Sequence, residues 1–419
     1  MADGANKTTL ENGVRILTEK MPYSRSVSMG VWVSVGARDE EAAESGLCHF
    51  IEHMIFKGTR KRSAFQIAKE FDAIGGYSNA FTAMENTCYH AKVLDSHLET
   101  MVDILTDIFL NSVFDSREVE KERPIIFQEI GMLEDSPDEY LHLLAGQTFW
   151  GDHPLGRSIL GTRENIRNLS AEDIRAFFRR LYQPDRMIIS AAGNVEHDRI
   201  VDLVGPLFET LECRNGLPAR RKPQPHARVN VCFRELEQTH ICVAGRGLSI
   251  TDPERYKFSL LNTIFGGNMS SRLFQEIRER RGLAYSVYAF SNSYFDSGMS
   301  GASAGVDPTN ARESVRLILE QMRRLAAEPV SDAELRAAKE YTKGNLLLAT
   351  ENNDNQMVRL AQNEFHFGRE VPLSEVVSNI EATSAADILE LARRIFRPGE
   401  NAITIVGPVS DPAAFESLE

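Results

Sequence analysis

The chain has 419 residues, of which 42% are apolar and 26% are charged. This length allows two or more domains of ordinary size, each with its own core. The formal net charge of −13 argues against nucleic acid as a partner and is compatible with basic peptides or proteins. Plain solubility is the simpler explanation of that charge.

Cysteine content and the lack of long apolar runs restrict the compartment. The five cysteines, at positions 48, 88, 213, 232 and 242, form no C-x-x-C pair. This distribution fits a reducing compartment and argues against a disulfide framework. Residues 1–21 lack the apolar core of a secretory signal, and no apolar run approaches the roughly 20 residues that span a bilayer. We therefore expect a cytoplasmic protein without membrane insertion.

The first predicted elements are three strands and a helix. Asn12-Gly13 between strand-like residues predicts a β-hairpin. Alternating apolar residues over 27–35 predict a further strand. A helix is then expected over about Ser45–Phe56, with Ser45 as its N-cap and Gly58 as the glycine after its C-terminal end.

The following segment contains a second helix signal. Ser63 and Gln66 have the spacing of a capping box, and the helix that they open is expected to end near Gly75-Gly76. Further elements are a strand-rich stretch over 77–93, a helix from about residue 97, and a helix over about 116–134.

An internal repeat predicts a duplicated fold. Residues 180–184 and 394–398 each end in proline, precede an apolar strand, and are followed by glycine nine positions after the proline. Chance recurrence of helix–turn–strand units is the alternative explanation. We predict an α+β protein of two duplicated domains, 1–211 and 228–419, each a mostly antiparallel sheet packed with helices. The linker is expected over 212–227, which is rich in proline and arginine.

The segment His49–His53 is an H-x-x-E-H motif, the inverse of the H-E-x-x-H zinc helix. On a helix it places two imidazoles one turn apart with Glu52 between them. Imidazole nitrogens suit zinc, and a nearby carboxylate can deprotonate a zinc-bound water. On a helical wheel, the two histidines and Glu52 form one stripe. It lies beside an apolar stripe formed by residues 47, 50, 51, 54 and 55. The alternative is that the histidine stripe merely faces solvent.

A catalytic zinc site needs a third protein ligand and an open position for water. The predicted helix over 116–134 carries several glutamates. Glu122 and Glu129 are seven residues apart, about two turns, and therefore share a face. Glu129 also stands among isoleucines and a leucine. Spacing alone does not choose among these glutamates, and a solvated acidic helix explains most of them.

Three segments carry a family resemblance that runs from residue 12 to residue 407. They are residues 46–59, 75–82 and 122–129. In them the sequence resembles the pitrilysin-type zinc peptidases, and it looks closest to bacterial homologues of the mitochondrial processing peptidase β subunit. The resemblance implies a zinc metalloendopeptidase with one Zn²⁺ per chain. It also implies a two-domain chamber for extended or unfolded peptides.

The resemblance assigns roles in the first half of the chain. It implies His49, His53 and Glu129 as the zinc ligands. It implies Glu52 as the general base that activates a zinc-bound water, and Glu122 as a further, supporting glutamate of the catalytic site.

The resemblance also implies substrate-binding residues. Asn79 and Ala80 match an edge strand to which extended substrates add by β-augmentation. Phe56 matches a hydrophobic wall for the residue after the cut. Arg278 and Tyr285 match two residues of the second half that reach the active site, where they would hold substrate carbonyls or stabilise an oxyanion. From its surroundings alone, Arg278 reads as a surface residue in a basic run.

Two residues depart from the family pattern. Pro124 lies inside the expected ligand helix, where we expect a kink or the start of a second segment. Cys48 precedes His49 where a small residue is common. We expect it to be a core thiol, and the alternative is a thiol that makes the site sensitive to oxidation.

The alternative function is a non-catalytic peptide-binding or scaffold subunit of a larger assembly. Retention of every motif residue favours catalysis. In either case a homodimer, or a heterodimer with a related subunit, is expected.

Overall fold

The computed structural model describes residues 4–213 and 219–418, so part of the predicted linker lies outside it. The fold is α+β with two sheets, as predicted. Within the described ranges, no helix combines the length and apolar character that crossing a membrane requires.

The first sheet is built from the first half of the chain. Within the described residues its strands are β1 (Asn6–Thr9), β2 (Arg15–Lys20), β3 (Ser26–Val33), β4 (Tyr77–Thr82), β5 (Thr87–Leu94) and β6 (Met187–Gly193). They lie in the order β1-β2-β6-β3-β5-β4, with β2 and β6 parallel and all other neighbours antiparallel. The predicted hairpin is confirmed as β1–β2, and its Gly13 has a φ of 95°. Strand β4 forms one edge of the sheet.

The second sheet repeats the first. Its described strands are β7 (Val229–Phe233), β8 (Thr239–Arg246), β9 (Ala284–Ser293), β10 (Gly298–Val306) and β11 (Ala402–Gly407). Their order β7-β11-β8-β10-β9 matches β2-β6-β3-β5-β4 position by position. The first pair of each series is parallel and the rest are antiparallel. The two proline-led strands of the sequence repeat, β6 and β11, take equivalent places, which confirms the predicted duplication.

Helices cover the sheets. Those of the first half are α1 (Leu47–Ile55), α2 (Ala64–Ala73), α3 (Leu98–Asn111), α4 (Ser116–Asp135), α5 (Pro137–Trp150), α6 (Arg163–Asn168), α7 (Ala171–Leu181) and α8 (His197–Phe208). Those of the second half are α9 (Arg255–Asn262), α10 (Ala311–Ala327), α11 (Asp332–Ala349), α12 (Asn353–Phe367), α13 (Leu373–Ala382), α14 (Ala385–Ile395) and α15 (Ala413–Glu416). Two π-helical segments, Thr263–Gly267 and Phe274–Arg280, follow α9.

The chain forms two compact units that exchange one helix each. The first unit comprises Met1–Gly131, Arg157–Arg220 and Leu348–Glu370, and the remaining segments form the second. Helix α12 therefore packs on β2, β3 and β6, whereas α5 packs on β8 and β11. Apolar periodicity identifies the buried face of a helix but not the sheet that it covers, so the sequence did not anticipate this exchange. The contiguous domains 1–211 and 228–419 stay a prediction.

Helix α1 is fixed to the core of the first unit by its apolar stripe. The five predicted stripe residues are all at most 1% exposed: Leu47, Phe50, Ile51, Met54 and Ile55. Burial of an aliphatic or aromatic side chain contributes about 1.5–3 kcal/mol, so this face holds the helix firmly. The prediction for the stripe is confirmed.

The ends of α1 differ from the prediction. The N-cap is Gly46, in the left-handed region with a φ of 99°, so Ser45 is not the cap. The C-cap is Phe56, which makes Lys57 rather than Gly58 the next residue outside the helix. The predicted capping box of α2 is confirmed, since the hydroxyl of Ser63 accepts the N–H of Gln66.

Candidate metal centre

Three potential ligands converge in the first unit. His49 and His53 lie one turn apart on α1, and Glu129 lies on α4. The Nε2 atoms of His49 and His53 are 3.5 and 3.4 Å from Oε2 of Glu129. One ligand atom from each residue lies within 4.8 Å of the others, and no second group of this kind occurs in ranges 4–213 and 219–418.

Glu122 fixes the ring of His53. Oε1 of Glu122 lies 2.9 Å from Nδ1 of His53, and Lys57 donates to its other oxygen at 2.6 Å. An ionised carboxylate only accepts hydrogen bonds, so Nδ1 of His53 is the donor. The lone pair of Nε2 is then directed toward Glu129. This carboxylate–histidine arrangement is the usual support of a metal-binding imidazole.

The donor set fits a divalent cation. Oε2 of Glu129, which faces Nε2 of both histidines, is buried and has no hydrogen-bond partner among the described residues. Burial, assisted by the neighbouring His53, lowers the pKa of His49 to about 3, which keeps its ring neutral. Two imidazole nitrogens and one carboxylate oxygen are a donor set that zinc prefers.

Glu52 lies between the two histidines on the same helix. Its Oε2 accepts a hydrogen bond of 2.6 Å from the hydroxyl of Thr82, the last residue of β4. Burial raises the pKa of Glu52, the Thr82 hydrogen bond and His53 lower it, and Glu129 raises it again. The net shift is upward, toward the range in which a carboxylate is an effective general base.

Helix α4 presents both predicted glutamates to α1. It is one helix over Ser116–Asp135 and is not divided at Pro124. The side of α4 that carries Pro124 is exposed, whereas Glu122 is 4% exposed. Glu122 and Glu129 therefore reach the same site from two turns of one face, as their spacing predicts.

Cys48 is a buried thiol. It is fully inaccessible, and burial raises its pKa well above the usual value. A thiol of this kind behaves as a small apolar side chain rather than a reactive thiolate. The expectation of a core thiol is confirmed.

The predicted substrate-binding residues fall into two groups. Phe56, Asn79 and Ala80 lie in the first unit, at the end of α1 and on the edge strand β4. Arg278 and Tyr285 lie in the second unit, in the π-helical segment 274–280 and on β9. The guanidinium carbon of Arg278 is 5.0 Å from the ring centre of Tyr285, whose side chain is 80% exposed. This cation–π contact makes them one surface group.

Sequence reasoning missed three residues that support the site. Thr82 bonds to Glu52, Lys57 bonds to Glu122, and Glu40 bonds to the start of α1. A sequence signal existed only for Lys57, a cation four positions after His53, although α1 ends at Ile55 and Lys57 lies outside the helix. The other two contacts arise where separate elements meet.

Duplicated α+β units with an inverted H-x-x-E-H helix in the first define the class of pitrilysin-type metallopeptidases. Residues 15–163 match the family model described as "Insulinase (Peptidase family M16)". Residues 168–341 match the model described as "Peptidase M16 inactive domain". That second match agrees with the lack of an H-x-x-E-H motif after residue 228.

Relatives match over almost the whole chain. "Uncharacterized zinc protease YmxG" of Bacillus subtilis is 39% identical over 96% of this chain and 97% of its own length. An "Uncharacterized zinc protease" of Streptomyces coelicolor is 38% identical over 97% of this chain and 90% of its own. The chain thus belongs to peptidase family M16, and the predicted family is confirmed. Its closeness to the processing peptidase β subunit stays a prediction.

Solved structures share the fold. A protease from Helicobacter pylori matches with a TM-score of 0.91 at 20% identity, over 97% of this chain and 100% of its own. A "peptidase M16 inactive domain" from Pseudomonas fluorescens matches with a TM-score of 0.90 at 17% identity, over 97% and 98% of the two chains. At these identities the likeness concerns the fold alone.

Proposed function

We propose that the protein is a zinc metalloendopeptidase that cleaves extended or unfolded peptides. The observation that carries this proposal is the convergence of His49, His53 and Glu129, in which a buried carboxylate oxygen faces two imidazoles, with Glu52 on the same helix. The relatives of Bacillus subtilis and Streptomyces coelicolor are named zinc proteases, which supports it.

The roles of the residues follow from their contacts. Bound zinc would polarise the scissile carbonyl and lower the pKa of the attacking water. Glu52 takes the proton of that water and later delivers it to the leaving amine. Thr82 occupies Oε2 of Glu52 and leaves Oε1 for this transfer. Glu122 holds the ring of His53 with Nε2 as the ligand atom.

The edge strand β4 supports binding of extended peptides. A peptide that adds to this edge is held by main-chain hydrogen bonds, which do not demand one sequence. Thr82 ends the strand and bonds to Glu52, so a peptide paired along Asn79 and Ala80 passes beside the general base. Phe56, at the end of α1, is proposed as the wall for the residue after the cut. The net charge of −13 favours basic peptides.

Arg278 and Tyr285 are proposed to act on the substrate as a pair. Their cation–π contact holds the guanidinium in place, and Tyr285 is exposed. Arg278→Ala is expected to lower kcat/KM about 10²-fold, the scale of a lost oxyanion donor, without changing zinc affinity. Arg280→Ala is the matched control, since Arg280 is exposed on the same segment and pairs with Glu276. Equal kcat/KM for both variants would contradict the assignment.

The chamber and the oligomer also belong to the proposal. We expect two such chains, or this chain and a related subunit, to enclose a chamber that admits unfolded segments. The mass of the purified protein in solution, alone and with a candidate partner, gives the number of chains in the assembly.

The proposed activity is tested with quenched peptides of varied sequence, basic ones included. Protein loaded with zinc should contain one Zn²⁺ per chain and cleave internal bonds, and a chelator should abolish cleavage. Absence of cleavage across the whole set of peptides would refute the proposed peptidase activity. Binding of the same peptides without cleavage would instead support the alternative, a non-catalytic peptide-binding subunit. The match of residues 168–341 to an inactive-domain model is compatible with that alternative.

A further inference from the structure

The start of α1 is capped from outside the helix. Its first backbone N–H groups have no acceptor within the helix, and a side chain at the N-cap position usually supplies one. Gly46 occupies that position and has no side chain. The carboxylate of Glu40 accepts the N–H of Gly46 at 2.9 Å and that of Cys48 at 2.7 Å.

Local packing explains why the cap is remote. A Cβ atom at Gly46 would lie 2.7 Å from Cδ1 of Ile166 and 2.9 Å from the carbonyl oxygen of Leu160. Its φ of 99° is also a conformation that favours glycine. Serine, aspartate or asparagine is therefore excluded from the N-cap, and the acceptor must come from elsewhere in the fold.

Glu40 is itself held in place. Its side chain belongs to a residue that is only 3% exposed, and Arg157 donates to its backbone carbonyl at 3.0 Å. Both oxygens of a buried carboxylate thus meet the first turn of one helix. Burial raises the pKa of Glu40 to about 8, and the hydrogen bonds from the N–H groups of Cys48 and Gly46 oppose that rise. The helix dipole also favours the ionised form at this end.

This cap lies next to His49, whose ring contacts His53 but lacks a supporting hydrogen bond at Nδ1 among the residues that the structure describes. His53 is oriented through its ring by Glu122. Nδ1 of His49 is buried without a hydrogen-bond partner in the described part of the chain, so the backbone and packing of the first turn must orient its ring. Cys48, whose N–H bonds to Glu40, directly precedes His49.

We propose that Glu40 is a positioning residue of the metal site, which sets the place of His49 by anchoring the first turn of α1. The inference rests on the proposed metal site and deepens it. Glu40 does for His49, through the backbone, what Glu122 does for His53 through the ring. Loss of a supporting group of this kind typically lowers metal affinity 10–100-fold.

The test uses the full chain, Co²⁺ as the probe, and three variants. Glu40→Gln replaces one acceptor by an NH₂ group that opposes a backbone N–H. Glu40→Asp shortens the side chain so that it reaches one N–H at most. Glu41→Gln is the control, because Glu41 is exposed on the same segment.

We expect Glu40→Gln to bind Co²⁺ about tenfold more weakly in a chelator competition, and Glu40→Asp to lie between it and the wild type. The visible absorption of bound Co²⁺ should change in both, since it reports ligand geometry per bound ion and does not respond to a lower folded fraction. Amide exchange at Gly46 and Cys48 should become faster. The control should match the wild type in every measurement.

The outcomes separate the two levels of the proposal. If the wild type binds no Co²⁺, the metal site fails and this role of Glu40 fails with it. If the wild type binds Co²⁺ and both Glu40 variants bind it with the same affinity and absorption, the metal site stands and the positioning role is overturned. If Glu40→Gln fails to fold, the test depends on Glu40→Asp. Co²⁺ binding by Glu40→Asp with the affinity and absorption of the wild type then overturns the positioning role.

Discussion

His53 and Glu122 are joined by a hydrogen bond of 2.9 Å between Nδ1 and Oε1, whereas the ring of His49 has no corresponding partner among the described residues. The two histidines of one motif are therefore held by different means. Glu122 is 4% exposed and is held in turn by Lys57 at 2.6 Å. The chain Lys57–Glu122–His53 leaves Nε2 of His53 as the atom that would bind a metal.

Glu122→Gln should weaken zinc binding by roughly 10–100-fold, because an amide no longer carries the charge that fixes the tautomer and basicity of His53. Chelator competition measures this affinity directly. Glu118→Gln is the control on the same helix, where Glu118 pairs with Lys121 three residues on. Equal affinity in both variants would show that Glu122 does not support the ligand.

Glu52→Gln should retain zinc and lose turnover. The substitution keeps the shape of the side chain and removes its ability to take a proton, and general acid–base catalysis contributes typically 10²–10⁴-fold. Zinc content and kcat are measured on the same preparation. Activity within a few-fold of the wild type would exclude Glu52 as the general base.

Thr82→Val should move the acidic limb of the kcat/KM profile to higher pH. The Thr82 hydrogen bond favours the ionised form of Glu52 and so lowers its pKa against the upward effect of burial. Without the bond the pKa rises further, and a higher pH is needed to ionise the base. An acidic limb that stays in place or moves to lower pH contradicts this coupling. Thr59→Val is the control, because Thr59 lies outside the site and donates its hydrogen bond to Asp107.

Local patterns predicted the parts of the site that depend on one element. The apolar stripe of α1 and the shared face of Glu122 and Glu129 both follow from the helical period, and the structure has them as expected. The choice of Glu129 among the glutamates came from the family resemblance, since spacing left several open.

Sequence patterns did not predict the contacts between elements that are remote in the chain. Ser45 was the expected cap because local rules favour a polar side chain, but the close approach of Leu160 requires Gly46 and moves the cap to Glu40. Thr82 reaches Glu52 only because β4 lies beside α1. Such contacts depend on tertiary packing, which periodicity does not encode.

The docking of α12 on the first sheet supplies a further prediction, because one carboxylate links them. Asp354, in the first turn of α12, accepts hydrogen bonds from Ser28 at 2.5 Å, Lys92 at 2.9 Å and Tyr77 at 3.3 Å. Burial raises the pKa of Asp354, but the bonds from Ser28 and Lys92 outweigh it, and the net shift is below the usual value of 3.8. Asp354 is thus stabilising when ionised.

Asp354→Asn should lower the free energy of unfolding of the first unit by about 1–2 kcal/mol near neutral pH. Since the folded pKa lies below the unfolded one, this stabilisation is fully present above the unfolded value and is lost as the pH falls through the folded value. Trp32 packs beneath α12, so its fluorescence in urea titrations reports this unit when Trp150 is replaced by Phe. Glu351→Gln, exposed just before α12, is the control. The quantity compared is the free energy of unfolding of Asp354→Asn and of its Trp150→Phe parent. Their difference should shrink toward acid, because Asp354 stops stabilising the fold once it is protonated. A difference that stays constant from about pH 7 to about pH 3, or that grows toward acid, contradicts the assignment.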